Sequence, residues 1–137
     1  MAGPSTITVT ALCLLDSAGR LLLVRKRGTS LFMQPGGKPD PSETPAETGV
    51  RELSEELGLA VGAQDLTLLG VWEGPAANEA DTHLVATVFL CPLTAEPSPA
   101  AEIEEFDWLD LDRARHRSDL APLLTDYVVP ALLSLRG

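Results

Sequence analysis

Three glutamates in the middle of the sequence have a spacing that suits metal chemistry. Glu52, Glu55 and Glu56 are separated so that their side chains would share one face of an α-helix. Three negative charges within one turn repel each other, and a position near the helix C-terminus is unfavourable for them as well. A divalent cation that prefers oxygen ligands would offset this repulsion. The triplet by itself is equally consistent with a solvated acidic surface. The neighbouring residues are needed to distinguish a cation site from such a surface.

The residues before the triplet favour a cation site. Pro35-Gly36-Gly37 supplies two backbone positions without side chains, from which a carbonyl oxygen can approach a metal. Glu43 follows this loop, and Arg51, which directly precedes the triplet, can hold a carboxylate in a fixed orientation. The sequence has no cluster of Cys and His, so hard carboxylate oxygens indicate Mg²⁺ or Mn²⁺ rather than zinc.

The helix that must carry these side chains has recognisable ends. Thr44, Pro45 and Glu47 fit a capping box with proline at the first helical position, and Gly58 is typical of a helix stop. We therefore predict a helix over residues 45–57. Its apolar stripe, which should face the core across the helix from the glutamates, is expected to consist of Ala46, Val50, Leu53 and Leu57.

The remaining elements alternate between strands and one further helix. β-branched and apolar runs predict strands at residues 6–15, 20–27, 66–72, 84–90 and 103–109. Residues 28–42, rich in Gly, Pro and Ser, are expected to be mostly loop. Residues 120–135 have helical spacing, with Pro122 at the start and Pro130 at a kink or break. This order indicates an α/β (α+β) fold with a mixed sheet between helices.

Size and charge limit the function classes. The chain has 137 residues, so we expect residues 1–137 to form a single domain. Its 20 acidic and 10 basic residues give a net charge of −10, which argues against a nucleic-acid partner. The acids concentrate in residues 37–59, with a net charge of −4, and in residues 96–112, with a net charge of −7; the bases concentrate in residues 20–27.

The sequence favours the cytoplasm. The longest apolar runs are about five residues, against roughly 20 needed to cross a bilayer, so we expect no membrane partner. Residues 1–6 lack the features of a secretory signal. Cys13 and Cys91 lie in predicted strands, where buried free thiols suit a reducing compartment.

One motif matches a known family. The stretch Gly37-x5-Glu43-x7-Arg51-Glu52-Leu53-x-Glu55-Glu56-x-Gly58-Leu59 resembles the Nudix box at every defined position. The box occupies residues 37–59, about a sixth of the chain, and the flanking strands are similar to those of short, single-domain MutT-like members. The resemblance implies an α/β/α sandwich with a mixed sheet.

The resemblance also implies a chemistry and assigns roles. Members of this family hydrolyse a nucleoside diphosphate linked to another group, using Mg²⁺ or Mn²⁺, with water attacking phosphorus. Glu52, Glu55 and Glu56 would be metal ligands together with the backbone carbonyl of Gly36, although one glutamate can instead deprotonate the water in some members. Arg51 would orient the ligands and Glu43 would brace the loop against the helix.

Other residues are weaker candidates. By resemblance, an acidic residue in the second acidic segment can act as an additional metal ligand or as the base. Glu102 fits that position best and Glu105 second, with solvated loop charge as the alternative. Arg25 and Lys26, at the end of a predicted strand, are candidates to neutralise a substrate phosphate, or else are ordinary surface bases.

The substrate is the least determined part of the prediction. The small size and overall pattern favour a nucleoside triphosphate or oxidised nucleoside triphosphate. Pro75, which lies 16 residues beyond Leu59, instead resembles a weak mark of ADP-ribose pyrophosphatases and keeps nucleoside-diphosphate sugars open; it is also explained as a turn residue. A domain that binds nucleotide without cleaving it is a second alternative. Because members of the family are often dimers, the resemblance also allows a homodimer.

Overall fold

A mixed β-sheet forms the middle layer of the fold in the computed structural model, which describes residues 5–100 and 102–136. Within these residues the sheet has six strands: β1 Ser5–Leu15, β2 Leu21–Lys26, β3 Gly36–Gly37, β4 Thr67–Pro75, β5 Thr82–Pro92 and β6 Ile103–Leu109. Five of them lie in the order β4-β5-β1-β2-β6, and β3 pairs with β1. Strands β1 and β5 are parallel and every other pair is antiparallel, which confirms the expected mixed sheet.

Helices cover the two faces of this sheet. Because side chains alternate between the faces of a strand, Leu12 and Leu14 of β1 pack on one side with Leu53 and Leu57 of helix α1, Pro45–Leu57. The opposite face of the sheet packs against the C-terminal helical segment through Ala11, Cys13, Leu21, Leu23, Leu124, Val128 and Leu132. The result is the α/β/α arrangement that the sequence predicts.

Strands β1 and β2 are adjacent at their turn and then separate. Leu15 pairs with Leu21 beside the turn, but farther along β1 the partners are Gly36 and Gly37 of β3. On the other side of the gap, Met33 forms a bridge with Val24 of β2. Residues 33–37 therefore lie between β1 and β2. The expectation that residues 28–42 are mostly loop is confirmed, although Met33, Gly36 and Gly37 pair with these strands. The insertion fixes the position of both glycines.

Helix α1 begins and ends where the sequence predicts. Thr44 Oγ1 accepts a hydrogen bond from the Glu47 backbone N–H at 3.1 Å, and the Glu47 carboxylate accepts one from the Thr44 N–H at 2.8 Å. Gly58 ends the helix with φ of 65°, in the left-handed region. These contacts satisfy free N–H groups of the first turn and stop the helix after Leu57.

The buried face of α1 differs from the predicted stripe. Leu53 and Leu57 are buried as expected, but Ala46 and Val50 are only half-buried. Their place against the core is taken by Thr48, Gly49 and Glu56. The face is rotated because the helix approaches β1 closely at Gly49, where a Cβ would already lie 3.0 Å from Leu12 Cδ1. One glutamate of the triplet therefore faces the interior rather than solvent.

The C-terminal segment contains a π-helix. A π-helical turn over Leu124–Val128 leads directly into helix α2, Val129–Leu135. Pro130 stands at the start of α2, and because proline has no N–H, the wider turn before it accommodates the missing hydrogen bond. Tyr127 in this turn donates a hydrogen bond to the carbonyl of Leu69 in β4 at 3.2 Å. The break expected at Pro130 is thus a π-turn, held against the sheet.

Some short helices and strand ends differ from the prediction. Single 3₁₀ turns at Ala63–Asp65 and Leu111–His116 were not predicted. Strands β4 and β5 are longer than expected, and Pro75 is the last residue of β4, paired with His83, rather than a turn residue. Among the described residues, no helix is both long enough and apolar enough to cross a membrane.

Candidate active site

A cavity of about 500 Å³ opens beside the end of the sheet where β1 and β2 separate. One end of it is charged and includes Lys26, Lys38, Arg51 and Glu52. The other end, called the apolar end, includes the aliphatic and sulfur-containing side chains of Ile7, Val9, Met33, Leu84 and Leu123; the polar residues Thr29, Asn78 and Glu79 also line the cavity. Gly36 and Gly37 lie in its wall. The cavity therefore joins a polar site on α1 to an apolar site on the opposite face of the sheet.

Both glycines of the loop are required by close contacts. Gly36 has φ of 149°, and a Cβ there would overlap the carbonyl oxygen of Thr10 in β1. A Cβ on Gly37 would overlap the carboxylate of Glu52. The first contact is with rigid backbone, whereas the second is with the end of a side chain. The loop thus forms a cradle in which Gly36 admits no larger residue, whereas a side chain at Gly37 would have to displace the carboxylate of Glu52, the first glutamate of the triplet.

Glu56 is the buried member of the triplet. Only 3% of its side chain is exposed, and one carboxylate oxygen accepts a hydrogen bond from the Gly36 N–H at 3.0 Å. The other oxygen has no hydrogen-bond partner among the described residues, and the nearest cation, Lys26 Nζ, is 3.7 Å away. Burial raises the pKa of Glu56 to about 7, outweighing the Gly36 hydrogen bond and the Lys26 charge, which lower it.

Arg51 connects the loop before α1 to the other two glutamates. Its guanidinium donates two hydrogen bonds to the Glu43 carboxylate, at 2.7 and 3.0 Å, and contacts Glu52 at 3.0 Å and Glu55 at 3.2 Å. It also donates to the Lys38 carbonyl at 2.9 Å. The hydrogen bonds from Arg51 to the Glu43 carboxylate lower the pKa of Glu43 to about 2, and a hydrogen bond from the Asp40 N–H contributes further. The pKa of Glu52 is raised by burial, although Arg51 opposes the shift.

The three glutamates lie together but do not converge on one point. Glu52 and Glu55 turn toward Arg51, whereas Glu56 turns toward Gly36 and Lys26. Across residues 5–100 and 102–136, no three His, Cys, Asp or Glu side chains are placed so that they could hold a metal ion together. The chemistry of the donors nevertheless fits a hard divalent cation, because the carboxylates of Glu52 and Glu56 lie against the loop glycines and one buried oxygen of Glu56 lacks a partner among the described residues.

The weaker candidates are separated by the structure. Lys26 lines the cavity, and its Nζ lies 3.7 Å from both Glu56 and Glu102, whose side chain is 63% exposed. Arg25, on the opposite face of β2, instead pairs with Glu105 at 2.8 Å and is not among the described residues that line the cavity. Glu105 therefore faces away from the glutamates of α1. Of the two basic residues proposed to bind a phosphate, Arg25 and Lys26, only Lys26 reaches the site.

Most of the second acidic segment is balanced by the basic residues of the chain. Because β2 and β6 are neighbours, Arg25 and Arg27 reach Glu105 and Glu104, at 2.8 and 2.7 Å. Asp107 pairs with Arg117 at 3.1 Å and Asp112 with Arg136 at 3.3 Å. These ion pairs neutralise much of the net charge of −7 in residues 96–112, for which the sequence alone gave no structural role.

The wall of the cavity also contains residues that were not predicted from the sequence, among them Lys38, Asp40 and Gln34. Lys38 and Asp40 flank the charged end, where Asp40 lies 3.1 Å from Arg51. Gln34 is 96% buried next to the loop glycines, since only 4% of it is exposed. A polar amide between Met33 and Pro35, in an otherwise apolar stretch, was the signal available for Gln34. The positions of Lys38 and Asp40 carry no comparable signal.

A comparison with family models matches the NUDIX domain over residues 4–127, which is most of the chain. The chain belongs to the NUDIX domain family. The phosphatase NudJ of Escherichia coli K12 is 27% identical over 125 residues, covering 88% of this chain and 80% of that protein. The crystal structure of a MutT protein from Methanosarcina mazei Go1 matches with a TM-score of 0.77 at 20% identity, over 99% of this chain and 96% of that one. A MutT NUDIX hydrolase from Burkholderia pseudomallei matches with a TM-score of 0.73 at 26% identity, over 95% of this chain and 97% of that one.

Membership of the family fixes the class of reaction. NUDIX proteins are hydrolases of phosphoric anhydride bonds in small, nucleotide-type substrates, and they generally use divalent metal ions. The likeness to the Methanosarcina protein supports the fold, and the expected α/β/α sandwich is confirmed.

Proposed function

We propose that the protein is a Mg²⁺-dependent, or Mn²⁺-dependent, pyrophosphohydrolase of nucleoside triphosphates or oxidised nucleoside triphosphates. The observation that carries this proposal is the cavity, which has lysines, Arg51 and glutamates at one end and an apolar wall at the other. Such a division suits a substrate with a polyphosphate at one end and a base at the other. The name of the Burkholderia relative, a MutT NUDIX hydrolase, agrees with it.

The charged end is proposed to hold the phosphates and the metal. Glu52, Glu55 and Glu56, with the backbone carbonyl of Gly36, are the groups that would bind the cation. When bound, Mg²⁺ or Mn²⁺ supplies charge neutralisation and lowers the pKa of coordinated water. This matters because the protein carries a net charge of −10 and would otherwise repel an anionic substrate.

Other side chains are proposed to position the site. Arg51 fixes Glu52 and Glu55, and Glu43 holds Arg51 through two hydrogen bonds. Lys26, which lies between Glu56 and Glu102, can contact a phosphate oxygen once a metal balances the carboxylates. Glu102 is proposed as an additional metal ligand or as the base, since its carboxylate is exposed at the cavity. The contacts of Arg25 with Glu105 and the Thr29 carbonyl give no support to a phosphate-binding role for Arg25.

One observation keeps a second substrate class as the alternative. Pro75, the residue that resembles a mark of ADP-ribose pyrophosphatases, lies in the cavity wall at the end of β4. A nucleoside-diphosphate sugar would place its second sugar at this wall. The experiment that separates the two is a hydrolysis screen at fixed Mg²⁺ over nucleoside triphosphates, oxidised dGTP, ADP-ribose, dinucleoside polyphosphates and nucleotide sugars. Faster turnover of ADP-ribose than of every triphosphate would overturn the first proposal in favour of the second.

Further proposals concern the whole chain. We propose that residues 1–137 form a single NUDIX domain without a nucleic-acid or membrane partner; a homodimer is allowed by the resemblance to the family. A cytoplasmic location is supported by Cys13 and Cys91, which are free, buried and on opposite faces of the sheet. Light scattering of the purified protein tests the dimer.

A further inference from the structure

Gln34 carries a buried amide whose hydrogen bonds are incomplete. Its Nε2 lies 3.7 Å from Cys13 Sγ, which is a weak contact. Its Oε1 is buried and has no hydrogen-bond partner within residues 5–100 and 102–136. Buried amide oxygens are nearly always paired in proteins, so an unpaired one in a cavity wall requires an explanation.

The amide lies on the side of the sheet where the apolar end of the cavity is found. Cys13 belongs to the face that packs against the C-terminal helical segment, and the cavity side chains Val9, Met33 and Leu84 pack against the same face. The other fully buried polar side chain in the wall, Thr10, already donates to the Pro45 carbonyl at 2.9 Å. Of these two buried polar side chains in the described wall, Gln34 is therefore the one that keeps an unsatisfied acceptor.

The backbone on both sides of Gln34 is held in place. Met33 exchanges two hydrogen bonds with Val24, both of 2.8 Å, and the Pro35 carbonyl accepts one from the Leu12 N–H at 2.9 Å. These contacts belong to the insertion between β1 and β2, so the side chain cannot move away with a flexible loop. A polar group fixed in this way is suited to selecting among ligands.

Aromatic side chains do not form this wall. Among the described residues that line the cavity there is no Phe, Trp or Tyr, so a base bound here contacts aliphatic side chains and sulfur rather than an aromatic ring. Aliphatic contacts do not distinguish one base from another by hydrogen bonding. Selection then has to come from a polar group beside them.

We propose that Gln34 is a specificity-determining residue, whose amide oxygen accepts a hydrogen bond from an N–H donor on the non-phosphate part of the substrate. The inference rests on the proposed function and adds to it the chemical character of the preferred base. A base that presents an N–H group to this wall satisfies the buried oxygen, whereas one that presents a lone pair leaves it unpaired. Guanine oxidised at carbon 8 has an N–H at ring position 7, where ordinary guanine has a lone pair.

The test compares substrates that differ in one donor. kcat/KM is measured for oxidised dGTP against dGTP, and for ATP against the triphosphate of purine riboside, which lacks the amino group. The enzymes are the wild type, Gln34→Met, which keeps the length of the side chain, and Gln34→Leu. Gln64→Leu, at an exposed position on the first 3₁₀ turn, is the matched control.

In the wild type the substrate with the added donor should be preferred in at least one pair. In Gln34→Met that preference should fall by about 10- to 100-fold, chiefly through KM, while the poorer substrate is hardly affected. The unfolding temperature of the ligand-free variant should not fall, because an unpaired buried amide is removed. The control should keep the wild-type ratio.

Two results would overturn the inference. One is an unchanged ratio in both Gln34 variants, and the other is an equal loss for all substrates together with a lower unfolding temperature, which would make Gln34 a structural residue. If the wild type hydrolyses none of these nucleotides, the proposed function fails separately. The same nucleotides are then compared by the rise in unfolding temperature that they produce in Mg²⁺, and the inference stands only if Gln34→Met removes the difference within a pair.

Discussion

Replacing Glu56 by glutamine should stabilise the metal-free protein at alkaline pH. The carboxyl of Glu56 is buried and one of its oxygens is unpaired, so its negative charge destabilises the folded state. A rise of its pKa from 4.5 to about 7 means that the ionised carboxylate destabilises the folded state by about 3 kcal/mol, at 1.36 kcal/mol for each pH unit. Glutamine resembles the protonated form in shape and has no charge to bury.

The pH dependence has a definite sign. Because the pKa of Glu56 is higher in the folded than in the unfolded protein, the folded state binds its proton more tightly. The stabilisation by this proton is complete below pH 4.5 and is lost as the pH rises through about 7. The free energy of unfolding of Glu56→Gln should therefore exceed that of the wild type by about 3 kcal/mol at pH 8 and by less than about 1 kcal/mol at pH 5.

Denaturant unfolding in EDTA at both pH values measures this difference. In a thermal scan at pH 8 the expected shift is about 10 °C for a chain of this size. Glu55→Gln is the matched control, because the Glu55 side chain is 57% exposed, and both its ion pair with Arg51 at 3.2 Å and its repulsion from the neighbouring glutamates are weak at the surface. Saturating Mg²⁺ should reduce or reverse the advantage of Glu56→Gln, because metal binding stabilises the wild type. Equal stability of Glu56→Gln and the wild type at pH 8 in EDTA would refute the reasoning.

Three further substitutions test other parts of the structure. Gly36→Ala places a Cβ against the Thr10 carbonyl in a backbone conformation that alanine disfavours, so the unfolding temperature should fall by more than about 10 °C; an unchanged value would contradict the described loop. Gly37→Ala meets only the end of the Glu52 side chain, which can shift at the expense of its contact with Arg51, so stability should be nearly retained while kcat/KM falls at least about tenfold; unchanged kinetics would count against the proposed site. Arg117→Met removes hydrogen bonds of 2.7 and 2.9 Å to Asp119 and should cost about 1 kcal/mol at pH 7, measured by urea unfolding. Since Arg117 lowers the pKa of Asp119 from 3.8, this loss should shrink as the pH falls below that value, and a loss that stayed the same at acid pH would contradict the ion pair.

The elements with local signals could be predicted from the sequence. Helix α1 and strand β6 have the predicted limits, because the capping box, Gly58 and the apolar run of residues 103–109 are all local features. The family was evident from the box at residues 37–59, and the chain's membership confirms it. The cation chemistry follows from residue types, but the roles of individual glutamates stay predictions.

Features that depend on distant partners could not be predicted. Met33 pairs with β2, and Gly36 and Gly37 with β1, only because the two strands separate, and nothing in a Gly- and Pro-rich stretch indicates such pairing. The pairing of Arg25 with Glu105 depends on β2 and β6 being neighbours, which is a property of the topology. The burial of Glu56 depends on how closely α1 approaches the sheet at Gly49, so hydrophobic periodicity placed it on the wrong side of the helix.

The central claim is that the glutamates of α1 bind a metal that is needed to hydrolyse a phosphoric anhydride bond of a nucleotide. The most direct test is steady-state hydrolysis of the best substrate from the screen, with release of phosphate and pyrophosphate measured at saturating Mg²⁺. The double variant Glu55→Gln/Glu56→Gln is compared with the wild type, and circular dichroism checks that it is folded. We expect turnover to fall by at least about 1,000-fold in the double variant, and in the wild type when EDTA replaces Mg²⁺. Full activity of the folded double variant at saturating Mg²⁺ would contradict the account.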